Sequence, residues 1–308
     1  MSLHVTFLGT SGSIPTPKRN LPAVAIQRKG ELILLDCGEG TQRQMVKAKI
    51  GFHRKTKVFI THMHGDHVLG LPGLLQTMSL LDRERKLEIY GPNGIEAFVE
   101  AVEQNVQFTL PFPTEVFEVE NAGKVCEEKE YEVHAILADH VIPSLAYAFI
   151  EKPRAGKFHP EKAKIIGVPE GPLWSRLQHG YAVELPNRRT VKPEEVVGPQ
   201  RIGRKIIYTG DTRPSKSLID FALNADLLIH DATFDDDLEE RAREDGHSTP
   251  NQAAKVAKEA KAKRLILTHI SARYEDSDIL LEQAKKVFPF VDVAEDFMKI
   301  DVPLSFES

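Results

Sequence analysis

VFITHMHGDH, residues 58–67, is the stretch from which the fold of this chain is inferred. Val58 to Ile60 form an apolar run that predicts a buried strand. Four side chains able to bind a metal follow within six residues, and Gly65 lets the backbone turn so that they converge: His62, His64, Asp66 and His67. Imidazole and carboxylate without thiolate favour zinc, with iron or manganese as alternatives. Because one cation needs only three or four protein ligands, this density predicts two ions.

The same residue types recur further along the chain. Three of them follow directly on strand-like apolar runs at 131–137, 205–209 and 264–268: His140, Asp211 and His269. In α/β sheets, functional groups gather at the carboxyl ends of strands, where loops vary above a rigid scaffold. Independent core histidines have no reason to repeat this placement. We therefore predict that these residues join the 62–67 motif in one site.

Length and composition are those of an ordinary globular protein. The chain has 308 residues, of which 41% are hydrophobic and 28% charged, and we predict one domain over 1–308. No apolar run approaches the roughly 18 residues of a membrane span, so we expect a cytoplasmic protein with no membrane partner. The two cysteines, Cys37 and Cys126, form no disulfide framework and no metal motif.

A basic insertion interrupts the α/β pattern at about 152–203. This stretch is rich in proline and has no sustained apolar period. Between Glu151 and Lys192 there are nine basic and four acidic residues, a net of +5 inside a chain of net −5. Binding follows the local field rather than the total charge, so a local nucleic-acid surface is compatible with the acidic whole.

Two shorter stretches are candidates for phosphate binding. The proline-stiffened loop 14–20 ends in Lys18, Arg19 and Asn20, and is either a solvated loop or a loop of charge-assisted donors. His247 precedes a predicted helix with Thr249 as its N-cap, which places an imidazole at the positive helix end. The alternative for His247 is a capping-region surface residue.

Asp36, after the run 32–35, is a candidate for orienting a histidine ligand. At the C-terminus, Val293 to Val302 predicts a closing strand.

The motif 62–67 resembles the HxHxDH motif of the metallo-β-lactamase superfamily. Lys18 to Asn20 match the PxKxRN loop of the ribonuclease Z family within it, and residues 247–249 match its HST motif. The basic insertion, with Gly171 and Pro172, resembles the flexible arm by which that family clamps tRNA. The resemblance implies a four-layer αββα sandwich with an inserted arm. It also implies a zinc-dependent endoribonuclease, usually a homodimer in its short form. Such an enzyme cuts precursor tRNA after the discriminator base, leaving a tRNA 3′-hydroxyl and a 5′-phosphorylated trailer.

The resemblance also implies roles for individual residues. One metal would take His62, His64, His140 and Asp211, and the other Asp66, His67, Asp211 and His269. Besides binding metal, Asp66 has a second candidate role as the general base that accepts the proton of the attacking water. His247 is the candidate for the group that stabilises the transition state or protonates the leaving 3′ oxygen. The substrate contacts implied are Lys18, Arg19, Asn20, Ser248, Thr249, Gly171 and Pro172. Residues 230–233 resemble the family's HEAT motif, but Asp231 stands where that motif has glutamate, one methylene longer. We expect Asp231 to pair with His247, with a geometry that the shorter side chain leaves open.

Two other functions are compatible with the metal motif. The first is another hydrolase on the same scaffold, such as a lactonase, a thioesterase or a small-molecule phosphodiesterase. The basic insertion and the 14–20 loop argue against it, because a small substrate needs neither. The second is a non-catalytic RNA-binding relative, and the complete ligand set argues against that.

Overall fold

The computed structural model describes residues 2–304. Its strands are β1 His4–Gly9, β2 Ser11–Gly12, β3 Ala23–Arg28, β4 Glu31–Leu35, β5 Lys55–Phe59, β6 Leu87–Gly91, β7 Thr114–Glu118, β8 Gly123–Glu127, β9 Tyr131–Ala138, β10 Ser144–Glu151, β11 Val183–Glu184, β12 Thr190–Val191, β13 Lys205–Tyr208, β14 Leu227–Asp231, β15 Leu265–Thr268, β16 Ile270–Ser271, β17 Val291–Val293 and β18 Lys299–Asp301. Its helices are α1 Thr41–Lys47, α2 Gly65–Val68, α3 Gly70–Leu80, α4 Ile95–Asn105, α5 Pro160–Ile165, α6 Pro172–Gln178, α7 Lys216–Phe221, α8 Glu239–Asp245, α9 Pro250–Glu259 and α10 Asp278–Lys285.

The chain divides into two compact units. The first comprises residues 2–150 and 205–303 of the described chain, and the second comprises Glu151–Arg204 with Leu304. The single-domain organisation inferred from the sequence stays a prediction. Within residues 2–304, no helix has the length and apolar character that crossing a bilayer requires.

Two seven-stranded mixed sheets form the first unit. One has the strand order β18-β1-β3-β4-β5-β6-β7, and the other has the order β17-β15-β14-β13-β10-β9-β8. Strands β4 to β7 pair in parallel in the first sheet, and β13, β14, β15 and β17 pair in parallel in the second. The helices of this unit cover the outer faces of the sheets.

Strand β4 illustrates why the sequence gives this layering. Ile33 and Leu35 belong to the core between the sheets, whereas Leu32 and Leu34 belong to the core between the first sheet and its helices. Alternate side chains of a strand point to opposite faces, so a strand that is apolar at every position is buried on both. Strand β14 repeats the arrangement in the second sheet, with a separate helix-facing core. The predicted αββα fold is confirmed.

The prediction of one closing strand over Val293 to Val302 is wrong. The segment forms the end of β17 and all of β18, which belong to different sheets. Between them the chain turns through Phe297, whose φ is 69°. Apolar residues lie on both sides of this turn, and the prediction took the acidic pair Glu295 and Asp296 between them as part of one strand. The edge strands β7 and β8 were also missed, because their side chains are largely exposed.

The second unit has a small core of its own. Ala163, Leu177 and Val183 are buried in it with Val168, Leu185, Val191 and Val196. Where the unit begins and ends, the buried side chains of Glu151 and Arg204 form an ion pair with Nε–Oε2 at 2.7 Å. The scattered apolar residues of 152–203 therefore meet through short elements rather than through one periodic helix or strand.

Candidate metal centre

The metal-capable side chains lie where strands end, in a single region of the first unit. His62 follows β5, and the one-turn helix α2 carries Asp66 and His67. His140 follows β9, Asp211 follows β13 and His269 follows β15. Because β13, β14 and β15 are neighbouring parallel strands, their carboxyl ends share one sheet edge.

These residues form clusters in which the ligand atoms lie within 4.8 Å of one another. One cluster is His62, His64, His140 and Asp211, and a second is Asp66, His67 and His269. Asp211 lies between the two, with Oδ2 3.5 Å from His62 Nε2 and 3.4 Å from His67 Nε2. Its Oδ1 is 3.3 Å from His269 Nε2.

A hydrogen bond from the far side of each ring fixes how the histidines present their nitrogens. His67 Nδ1 donates to Asp36 Oδ2 at 2.7 Å, and His140 Nδ1 donates to the Gly246 carbonyl at 2.8 Å. His269 Nδ1 donates to Thr233 Oγ1 at 2.7 Å, and His62 Nδ1 donates to Thr61 Oγ1 at 2.9 Å. With the proton held at Nδ1, the lone pair of Nε2 points into the cluster. His64 instead presents Nδ1, 3.0 Å from His62 Nε2.

The donor set fits divalent cations. Lone pairs that face one another, such as His67 Nε2 and His269 Nε2 at 3.3 Å, have no proton to share once each Nδ1 carries one. Asp211 Oδ1 is buried without a hydrogen-bond donor. Burial lowers the pKa of His62 to about 2 and lowers those of His64 and His140, so these rings are neutral and able to bind metal.

Backbone strain and close packing accompany these side chains. Asp36 and His269 have φ of 58° and 61°, which L-residues adopt rarely and at a cost of about 1–3 kcal/mol. A Cβ on Gly246 would lie 2.5 Å from His140 Nδ1, so only glycine allows its carbonyl to approach that ring. Backbone strain at residues that contact the candidate ligands is typical of functional sites.

His247 adjoins both clusters and is paired with Asp231. Its Nδ1 donates to Asp231 Oδ2 at 2.9 Å and lies 4.0 Å from Asp211 Oδ2. Burial lowers the pKa of His247, but the Asp231 carboxylate outweighs burial and raises the pKa to about 9. His247 also falls within a third group with Asp211 and His269. Since its Nδ1 donates to Asp231, that nitrogen has no lone pair for a metal.

Comparison with known proteins agrees with this geometry. A model of the beta-lactamase superfamily domain matches residues 178–270, and a model of the anti-Pycsar protein Apyc1 matches residues 3–142. Ribonuclease Z of Methanosarcina acetivorans is 49% identical over 302 residues, covering 98% of each chain. That of Methanothermobacter thermautotrophicus is 47% identical and covers 97% of each chain.

The chain belongs to the ribonuclease Z family. The crystal structure of human tRNase Z, short form, superposes with a TM-score of 0.72 at 34% identity, over 98% of this chain and 100% of the human one. The resemblance and the enzyme class inferred from the motifs, a ribonuclease Z-type endoribonuclease of the metallo-β-lactamase fold, are confirmed. Divalent metal binding follows from the fold, and the ion's identity and number do not.

The three loop residues implied as substrate contacts differ in their surroundings. Lys18 is exposed, and none of residues 2–304 pairs with its charge. Arg19 is half-buried, and its Nη1 donates to Thr10 Oγ1 at 2.8 Å and to the Ala294 carbonyl. Asn20 Nδ2 donates to the Glu39 carbonyl at 2.8 Å. Arg19 and Asn20 therefore hold the loop in place, while Lys18 is oriented to solvent.

The implied substrate contacts Ser248 and Thr249 are buried. Ser248 Oγ donates to the Thr212 carbonyl at 2.7 Å, and the Thr249 side chain caps α9 through Gln252 in a capping box. Both hydroxyls thus fix the start of α9 and the position of His247. Gly171 and Pro172 are exposed in the second unit, where Gly171 has a φ of 130° and Pro172 begins α6. RNA contact by any of them stays a prediction.

Three residues of the ribonuclease Z site were given no role from the sequence. Thr61 Oγ1 lies 3.0 Å from both Asp36 oxygens, between that carboxylate and His62. Thr233 Oγ1 donates to Asp231 Oδ1 at 2.6 Å while accepting from His269. Tyr208 donates to Asp36 Oδ2 at 2.7 Å. The available signal was position: Thr61 and Thr233 sit inside quoted motifs, and Tyr208 ends a strand just before Gly210-Asp211.

Proposed function

We propose that this protein is a zinc-dependent endoribonuclease that removes the 3′ trailer from precursor tRNA. It would cut after the discriminator base and leave a tRNA 3′-hydroxyl and a 5′-phosphorylated trailer. The similarity to human tRNase Z over the whole chain supports tRNA as the substrate. The net charge of +5 between Glu151 and Lys192 supports a polyanion rather than a small molecule.

The observation that carries this proposal is the pairing of His247 with Asp231 beside the metal clusters. A phosphodiester cut that leaves a 3′-hydroxyl must deliver a proton to the departing 3′ oxygen. His247 keeps its Nδ1 proton on Asp231, and none of residues 2–304 forms a hydrogen bond with its Nε2. With a pKa near 9, the ring holds a second proton at neutral pH, which Nε2 can donate. We assign His247 as the general acid.

We assign two zinc ions per chain, with manganese or iron as alternatives. His62, His64 and His140 would hold one ion, Asp66, His67 and His269 the other, and Asp211 would bridge them. When bound, paired ions lower the pKa of water and stabilise developing charge on phosphoryl oxygens. Asp66 Oδ2 accepts from the Ser13 amide at 2.8 Å, which keeps the carboxylate facing the cluster, where it is also the candidate general base.

The shorter carboxylate at position 231 fits the proposed acid. Asp231 Oδ2 reaches His247 Nδ1 at 2.9 Å and also accepts from the Thr212 and Ser248 amides, each at 3.2 Å. Its Oδ1 accepts from the amide and the hydroxyl of Thr233. Four donors besides His247 thus fix a carboxylate that is buried, so the missing methylene is offset by rigid placement.

Homodimerisation and a cytoplasmic location belong to the proposal through the family resemblance.

The deciding experiment is incubation of the zinc-loaded protein with a 3′-extended precursor tRNA, followed by mapping of both new ends. We expect one cut after the discriminator base, with a 3′-hydroxyl on the tRNA and a 5′-phosphate on the trailer. The matched control is Asp211→Ala, which removes a ligand from both clusters and should abolish the cut and lower the metal content. A wild-type protein that hydrolyses a lactone or a thioester, but leaves precursor tRNA intact, would refute the proposal.

A further inference from the structure

A cavity lies on the surface of the first unit, and none of the proposed metal ligands lines it. Its volume is about 400 Å³, within the range of small-molecule sites. Three segments form its walls: the loop 15–21, helix α1 with the residues before it, and the turn at Asp296 and Phe297. Only the loop belongs to a motif quoted above, so two of the three walls have no assigned role.

The walls carry an excess of positive charge. Arg19 and Asp296 attract one another and are held by internal hydrogen bonds, so their charges offset within the wall. The remaining cations are Lys18, Arg43 and Lys47, all exposed, against one exposed carboxylate, Glu39. Arg43, like Lys18, has no hydrogen bond or ion pair to any of residues 2–304. An excess of positive charge in a concave site is typical of anion binding.

An aromatic side chain completes the cavity. Phe297 sits in the turn between β17 and β18 with φ 69°, and its amide donates to the Phe7 carbonyl at 2.7 Å. The residue is 36% exposed, and Lys47 Nζ lies 5.7 Å from its ring centroid. A partly exposed ring beside cations is the combination that binds single-stranded nucleic acid, because bases stack on the ring and phosphates meet the cations.

The cavity is connected to the metal centre by the loop itself. The Ser13 amide donates to Asp66 Oδ2 at 2.8 Å, and Lys18 lies five residues further along the same loop. Five residues span at most about 18 Å even when fully extended. A nucleotide in the cavity therefore lies within a short single-stranded run of a phosphate at the metal centre.

We propose that this cavity is a nucleotide subsite in which Phe297 stacks on a base while Arg43, Lys47 and Lys18 bind the adjacent phosphate. This inference rests on the proposed RNA substrate and adds α1 and Phe297 to the residues that select it. A nucleotide on either side of the cut has the required chemistry, so the experiment uses substrates that separate the trailer from the mature 3′ end.

The test compares the double variant Arg43→Gln/Lys47→Gln and the single variant Phe297→Leu with wild type. Lys299→Gln is the matched control, because Lys299 is also exposed and lies two residues from Phe297 but does not line the cavity. For the double variant we expect a KM for precursor tRNA raised about tenfold and a salt slope lower by about two. For Phe297→Leu we expect a similar rise in KM with the salt slope unchanged, since stacking carries no charge. Lys299→Gln should match wild type.

The position of the nucleotide follows from trailer length. If the variants raise the KM for precursors with long trailers but not for a precursor with a one-nucleotide trailer, the subsite binds the trailer. If the variants also weaken inhibition by mature tRNA, the subsite binds the mature 3′ end. Unchanged KM and inhibition constants in both variants, or changes equal to those of Lys299→Gln, would overturn the subsite.

A short oligoribonucleotide containing 2-aminopurine tests the cavity even if precursor tRNA is not cut. Stacking on Phe297 should change its fluorescence with wild type and not with Phe297→Leu. This separates failure of the subsite from failure of the proposed function. Identical fluorescence titrations for the two proteins would contradict the stacking.

Discussion

Asp36 offers a sharp test of how the metal centre is prepared, because its carboxylate lies behind His67 and faces no substrate. Its Oδ2 accepts from His67 Nδ1 and from the Tyr208 hydroxyl, each at 2.7 Å, and its Oδ1 accepts from the Thr61 amide at 2.7 Å. The carboxylate thus keeps the His67 proton on Nδ1 and leaves Nε2 as the ligand atom.

Asp36→Asn changes this arrangement with little change in volume. Asparagine tolerates the φ of 58°, so the backbone need not move. The Thr61 amide requires an oxygen acceptor at the Oδ1 position, which puts the asparagine NH₂ where Oδ2 was. That NH₂ donates to His67 Nδ1 and shifts the ring proton to Nε2, the nitrogen meant for the metal. We expect affinity for the ion at His67 to fall about 10–100-fold, or roughly 1.4–2.8 kcal/mol.

The assay is competitive zinc titration of the purified protein against a chelator of known affinity, alongside the rate of precursor tRNA cleavage. Tyr208→Phe is the control, because it removes the other donor to the same oxygen without touching His67. It should cost about 0.5–1.5 kcal/mol in the free energy of unfolding and leave zinc affinity unchanged. Wild-type zinc affinity in Asp36→Asn, or an equal loss in Tyr208→Phe, would refute the tautomer argument.

Three further outcomes are expected. His247→Ala should cut kcat by roughly 10²–10⁴-fold with metal content and tRNA affinity unchanged, and a change in KM alone would make His247 a binding residue. Asp231 raises the pKa of His247, so activity that needs the protonated ring is lost as pH rises through that pKa. Asp231→Asn should lower the pH above which activity falls. If activity in this variant falls at the same alkaline pH as in wild type, the pairing is contradicted. Replacing the exposed Lys157, Lys162 and Lys164 by glutamine should weaken tRNA binding and lower the salt slope of that binding by about three. Hydrolysis of bis(p-nitrophenyl) phosphate should persist. Equal losses of activity on both substrates would show that the basic insertion does not bind RNA.

The sequence predicted most of the candidate site because its residues have fixed places relative to strands. The apolar runs that precede His62, Asp211 and His269 indicated, without any tertiary information, that these residues lie at the carboxyl ends of strands. Asp36 was found as a possible orienting carboxylate by the same rule.

Features that depend on which residues meet in three dimensions were not predictable. Arg19 matches a substrate-binding motif, but its guanidinium donates to the Ala294 carbonyl, 275 residues away in the sequence. Tyr208 and Thr233 act through single hydroxyls whose partners come from other elements. The turn at Phe297 lies between two short apolar segments, and the pairing of β18 with β1 shows that they belong to different sheets.

The hydrogen bonds that fix the 14–20 loop have a consequence for how the protein is made. Arg19 and Asn20 find their partners at Ala294 and Asp296, and the last proposed ligand is His269. A chain arrested during synthesis before residue 269 lacks one ligand, and a chain arrested before 294 lacks the anchor of the loop. Contacts this distant in sequence also form late in folding, because closing long loops costs entropy. The nascent chain therefore lacks the His269 ligand and the Ala294 and Asp296 anchors of the loop until those residues have been synthesised, so the candidate site is incomplete until then.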